Sequence, residues 1–138
     1  MILKDVRDYL KELNSSEKFG IDNFYIGTLD NQKENSILVR SLKYGRVEDK
    51  LEIGQLRTYN TLECSLLLHI SKDYTTTEEI SNKLFNYFLE NMYSKQNIQI
   101  GNHDVFYIKL LSNNVDVGRD PNSNIFERII ELQFYYNN

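Results

Sequence analysis

Apolar residues at Ile2, Val6, Tyr9, Leu10 and Leu13 are spaced by three and four, which places them in one stripe along a short helix. Asn14-Ser15-Ser16 and Gly20 mark its end. Asn23 to Leu29 reads as a strand, Asp30 to Asn35 as a turn, and Ile37, Leu38 and Val39 as the heart of a second strand. The clearest alternation runs from Leu62 to Ile70: Leu62, Cys64, Leu66, Leu68 and Ile70 take one side, and Glu63, Ser65, Leu67 and His69 the other. Thr75-Thr76-Thr77-Glu78-Glu79 holds two overlapping capping boxes, Thr75 with Glu78 and Thr76 with Glu79. They open a helix whose stripe is Ile80, Leu84, Tyr87, Phe88 and Met92 and which ends near Tyr93. Ile98 to Ile100 and Val105 to Leu111 read as a strand interrupted at Gly101-Asn102.

Val117 to Asn124 reads as a turn, because Gly118 tolerates φ > 0, Asp120 bonds its own backbone and Pro121 presets φ. Ile125 to Tyr136 then forms a long closing strand. Phe126, Ile130, Leu132, Phe134 and Tyr136 share one side, and Glu127, Glu131 and Gln133 the other. The segment from Leu42 to Asn60 has no clear period and carries Gly45 and Gly54, which predicts an extended hairpin arm. The order is therefore α-β-β-(arm)-β-α-β-β. Short connections favour antiparallel neighbours, so the expected class is α+β: one domain over residues 1–138, a mostly antiparallel sheet, and two helices packed on one face. The other face is left for solvent or a partner.

Composition narrows the functions available. The chain has 138 residues, 41% hydrophobic and 26% charged, a globular balance. Its net charge of −4 supplies no basic field for phosphates, which argues against sequence-independent nucleic-acid binding. The single cysteine, Cys64, excludes an internal disulfide and suits a reducing compartment. The first residues mix acids into an amphipathic stripe, unlike a secretory signal, and no apolar run reaches membrane-span length.

Chemistry-bearing residues are few. Cys64 and His69 share a strand but differ by an odd number of positions, so they point to opposite faces and cannot hold one ion. Cys64 reads as a buried structural cysteine, His69 as a sheet-surface residue and His103 as a loop residue. Asp120, Asn122, Asn124 and Glu131 match the spacing of a calcium loop at positions one, three, five and twelve. Ile125 stands where that loop needs glycine, and the following residues alternate as a strand, so a hairpin turn is expected. Glu78 and Glu79 suit a helix start, and Glu127 and Glu131 the polar side of a strand. No phosphate loop, nucleophile elbow or zinc-helix motif occurs, so neither an enzyme nor a cofactor or metal is expected. Ten tyrosines and seven phenylalanines suit a protein interface better than base stacking, which needs a basic groove beside the rings.

Two stretches resemble one family. Ser65 to Ile70, followed by Asp73-Tyr74 and Glu78-Glu79-Ile80, is similar to the strand-to-helix junction of phage tail terminator proteins, some of which are called minor capsid proteins. Val117-Gly118-Arg119-Asp120 with the Phe126 to Tyr136 strand resembles the end of the same family, and Tyr44-Gly45-Arg46 matches it within the arm. The similarity covers roughly Ile37 to Tyr136. It implies a structural subunit that closes into a hexameric ring on the distal end of a tail tube, stops tube elongation and offers the surface that joins the head. The partners implied are further copies of the chain, the tail tube protein and a head–tail connector or sheath protein, with no sequence-specific nucleic acid and no membrane. The place implied is a virion or phage-tail-like particle assembled in the bacterial cytoplasm. The arm residues Tyr44, Gly45, Arg46, Glu48, Asp49, Lys50 and Arg57 are expected to contact a neighbouring subunit or the tube. Gly118, Arg119 and Asp120 are expected to shape the last hairpin, with Arg119 also a candidate for an ion pair between subunits. Rival readings are a head-closure or connector protein and a monomeric α+β binding module.

Overall fold

The structure, a computed structural model, describes residues 1–42, 59–92 and 98–137. The fold is α+β. In chain order its elements are α1 (Leu3–Glu17), β1 (Asn23–Ile26), β2 (Ser36–Ser41), β3 (Asn60–Ser71), α2 (Tyr74–Asn91), β4 (Ile98–Ile100), β5 (His103–Leu110), β6 (Val115–Arg119) and β7 (Phe126–Asn137). They build one sheet ordered β1-β2-β3-β7-β5-β4, with β6 pairing β7 beyond the end of β5.

β3 and β7, each of 12 residues, form the centre. Their antiparallel register sets Leu62 opposite Phe134, Cys64 opposite Leu132 and Leu66 opposite Ile130. These alternating residues all lie on the helix-covered face, which is why the period of two in the sequence identified the core. Leu66, Leu68, Ile130, Leu132 and Phe134 have no exposed surface. They meet Val6, Leu10 and Leu13 of α1 and Leu84 and Phe88 of α2. Burying five such side chains supplies much of the driving force, at about 1.5–3 kcal/mol each.

The helices start and stop for local reasons that differ in part from the sequence expectation. α1 ends at Lys18, whose left-handed backbone (φ 55°) closes a bond from its N–H to the Asn14 carbonyl. The Asn14 side chain bonds both the N–H and the carbonyl of Ile21, so the chain turns back at a fixed angle. Ile2, expected in the buried stripe, is exposed just before the helix. At α2 the cap is Asp73 and not a Thr–Glu box: its carboxylate accepts the Thr76 N–H and hydroxyl. The buried row of α2 begins with Thr77 and Ser81 before reaching Leu84 and Phe88. Small polar residues fit there because their hydroxyls find partners: Thr77 Oγ1 bonds the Ser71 backbone, and Ser81 Oγ donates to the Glu78 carbonyl and accepts from Asn114.

Three features of the sheet depart from expectation. β1 and β2 pair parallel, with Asn23 beside Ser36 and Ile26 beside Val39, so the intervening 27–35 segment is a crossover and not a hairpin turn. Gly101-Asn102 does not merely interrupt one strand: it reverses the chain between β4 and β5, with Gly101 at φ +61°. β6, read as part of a turn, is a strand.

β5 and β6 run in the same direction along one edge of β7. Asp104 pairs with Asn137 and Arg119 with Phe126. Between those pairs the β5–β6 side advances fifteen residues and β7 eleven, so four residues of the β5–β6 side are surplus. The register shifts lie at Phe106, within residues 111–114 and at Val117. Bulges bend a strand and increase its twist. The sheet accordingly curls around the helices: α1 touches β1 and β2 near one margin and β4 at the other. At the second margin an added Cβ on Gly101 would stand 2.8 Å from the Asp5 carboxylate, so the β4–β5 turn rests directly on α1.

Leu132→Ala is expected to reduce the unfolding free energy by about 2–5 kcal/mol, the cost of a cavity in a core that cannot collapse. Lys109→Ala on the exposed side of β5 should stay within about 0.5 kcal/mol of the parent. Urea denaturation of both variants measures the contrast.

Candidate assembly surface

The arm residues expected to make subunit contacts, Tyr44, Gly45, Arg46, Glu48, Asp49, Lys50 and Arg57, lie outside the described residues. The remaining expected group is brought together at the β6–β7 hairpin, with a division of labour that differs from the expectation. Gly118 and Arg119 belong to β6, and the turn proper is 120–125. Gly118 takes φ +97° beside the Val117 bulge, and its N–H donates to Asp116 Oδ1. Arg119 is exposed at the end of β6, and no ion pair reaches it among the described residues.

Asp120 organises the turn. Its carboxylate accepts the Asn122 N–H at 3.0 Å and the Ser123 hydroxyl at 3.1 Å. Those donors, led by the Asn122 N–H, hold its pKa below the usual carboxylate range. Asn124, at φ 61°, returns its N–H to the Asp120 carbonyl, and Ile125 turns inward to full burial. The segment is therefore a hairpin turn, with the Asp120 oxygens spent on its own backbone and Ser123.

α2 runs alongside the β5–β6 margin. At its start the Tyr74 hydroxyl donates to Asp116 and accepts from Arg128, whose guanidinium also reaches Glu78 at 3.3 Å. The Arg128 guanidinium lies 5.6 Å from the Tyr74 ring, and Phe126 meets that ring edge-on. Further along, Asn114 bonds Ser81 and Asn82. At the far end Phe85, Leu89, Met92, Leu110 and Leu111 line an open groove of about 400 Å³.

The edge beside α2 carries exposed apolar side chains among polar ones. β4 pairs β5 only as far as Val105, and among the described residues no strand pairs the outer edge of β6. Val115 is 43% and Val117 48% exposed there, with Tyr74 and Leu89 exposed on the helix. A second short edge, β1, closes the opposite margin and exposes Ile26.

The face away from the helices is not uniformly polar. Register places Leu38, Leu67, Ile129 and Val115 in one apolar band across four strands. Near the start of β3, Tyr59, Phe106, Tyr107 and Tyr135 form a cluster with ring centres 5.2–6.3 Å apart.

The two histidines also depart from expectation. His69 is wholly buried instead of lying on the sheet surface, and it bonds through both nitrogens. His103 opens β5 instead of sitting in a loop, half-buried with its ring 5.0 Å from that of Tyr136. Cys64 has no exposed surface, and burial pushes its thiol up to about 12, which leaves it unreactive. The chain's environment thus decided what the residue types left open: a histidine on the polar side of a strand gave no signal of the loop that covers it.

No family model, curated protein or solved structure matches the chain. Among the described residues no helix is long and apolar enough to cross a membrane.

Gly118→Ala is expected to cost about 1–2 kcal/mol in the isolated chain from its positive φ alone, since an added Cβ meets nothing within 4 Å. Arg119→Ala should leave the isolated chain within about 0.5 kcal/mol. Denaturation midpoints of the two variants separate backbone shaping from side-chain contact.

Proposed function

We propose that this chain is a structural assembly subunit: copies close into a ring that caps the distal end of a phage-type tail tube, stops its elongation and presents the surface that joins the head. The observation that carries this reading is the margin where α2 borders β5 and β6, whose β6 part no strand pairs among the described residues. Val115 and Val117 are exposed along it, with Tyr74 at the start of α2 and an open groove at its far end. Isolated edges of this kind are normally blunted, because unpaired backbone groups recruit other strands. Here the bulges and Asp116 restrict pairing with arbitrary partners, yet the apolar side chains remain outward.

The sheet has different margins on its two sides, β1 on one and β5–β6 on the other. A contact between unlike margins is head-to-tail, and such contacts form closed rings when the rotation divides the circle. The resemblance of the 65–80 and 117–136 segments to tail terminators supplies the ring size, six, and the tube end as the place of assembly. The acidic balance suits a passage through which DNA moves without sticking.

Mass measurement in solution, alone and with tail tubes, tests the reading. A hexamer is expected, either free or formed on tube ends. Val117→Lys should abolish it while leaving the circular dichroism spectrum and unfolding midpoint unchanged. A chain that stays monomeric at high concentration and ignores tubes would overturn the proposal and favour the binding-module reading.

A further inference from the structure

His69 sits on the face of β3 away from the helices and has no exposed side-chain surface. Its Nε2 lies 2.7 Å from the Asn31 carbonyl of the 27–35 crossover, and its Nδ1 lies 2.9 Å from Oε2 of Glu127 on β7. A carbonyl oxygen only accepts, so Nε2 carries a hydrogen. The Nδ1 contact then needs a second proton between imidazole and carboxylate. With a single hydrogen on the ring, a nitrogen lone pair would face an oxygen at one of the two contacts while the imidazole itself is out of reach of solvent, and that contact would fail.

We propose that His69 is a pH-sensitive latch. While two hydrogens are held between the ring and its two acceptors, the ring fastens the 27–35 crossover onto the sheet. On loss of one proton the remaining hydrogen stays on Nδ1, where the Glu127 carboxylate holds it, so Nε2 turns a lone pair to the Asn31 carbonyl and the crossover is freed.

The groups facing the ring support the charged form. From β7 comes the Glu127 carboxylate, and from the 120–125 turn the charge of Asp120. The crossover contributes the Asn31 carbonyl, and its own charged residues are Asp30, Lys33 and Glu34. β2 contributes Ser36, register partner of His69, whose hydroxyl is turned to the Lys33 and Glu34 carbonyls.

Burial alone would lower the histidine's pKa. The Glu127 hydrogen bond, the Asn31 carbonyl and the charges of Glu127 and Asp120 outweigh it, and the net direction is upward. The sign follows from linkage. A histidine raised above its unfolded value, about 6.5, contributes stability in full below that value. The contribution is lost as pH rises through the folded-state value. The latch is closed in acid and opens as pH rises through the raised folded-state value.

The latch is independent of the ring reading, since it concerns a single folded chain. The test uses the full chain, whose two histidines make the imidazole signals easy to assign. In parent protein, nuclear magnetic resonance should show the His69 midpoint above about 6.5. Amide exchange in the 27–35 crossover, corrected for intrinsic pH dependence, should lose at least about tenfold protection across that titration, while the centre of β3 keeps its own. In Glu127→Gln the midpoint should fall, because the charge that holds the proton is gone, and the crossover should stay protected through the titration, because the new amide donates to Nδ1 and leaves the Nε2 hydrogen on the Asn31 carbonyl. His69→Gln should remove the pH dependence; if that variant does not fold, Glu127→Gln carries the test alone. A parent midpoint at or below the ordinary value, a midpoint unmoved by Glu127→Gln, or parent crossover protection unchanged through the titration would each overturn the latch.

Discussion

Two 12-residue strands, β3 and β7, pair antiparallel over almost their whole length, and that contact places every other element. Backbone groups of both strands are satisfied along two edges, by β2 and β7 for β3, and by β3 with β5 or β6 for β7. Leaving such groups unpaired in a buried centre would cost far more than a bonded one contributes. The alternate residues of the pair supply the floor on which both helices rest, so backbone pairing and apolar burial reinforce each other at the same residues.

The surplus residues opposite β7 turn this central pair into a curved body. Four extra residues along the β5–β6 side shorten the effective spacing of one margin relative to β7 and curl the sheet around its helices. The same bulges leave Phe106 and Val117 turned outward. Curvature and surface apolarity thus share one cause, and among the described residues the outer edge of β6 presents both backbone groups and apolar side chains.

Two buried polar side chains tie distant segments together. Arg128 is held by Tyr74 and Glu78 beneath α2, and His69 by Glu127 and Asn31 beneath the crossover. Each depends on hydrogen bonds to groups far away in sequence, and losing a partner would leave a buried donor or acceptor unmatched. They fix how the loops sit on the sheet, whereas the apolar core fixes the sheet against the helices.

The period of two through Leu62 to Ile70 and through Phe126 to Tyr136, and the helical stripes ending in Leu13 and Phe88, were legible in the sequence because side-chain alternation follows from backbone geometry alone. The α+β class, the one-sided helix layer and the buried state of Cys64 followed from it. Local turn chemistry also identified a hairpin turn at Asp120, since the Asp-Pro-Asn-Ser run presets φ at Pro121 and lets Asp120 bond its own backbone. What the sequence could not determine was pairing between distant segments. Whether β1 lies parallel to β2, whether β6 is a strand, and that His69 is sealed under residue 31 depend on which edges and loops meet. Those meetings are set by register and curvature across the whole sheet, and no local pattern encodes them.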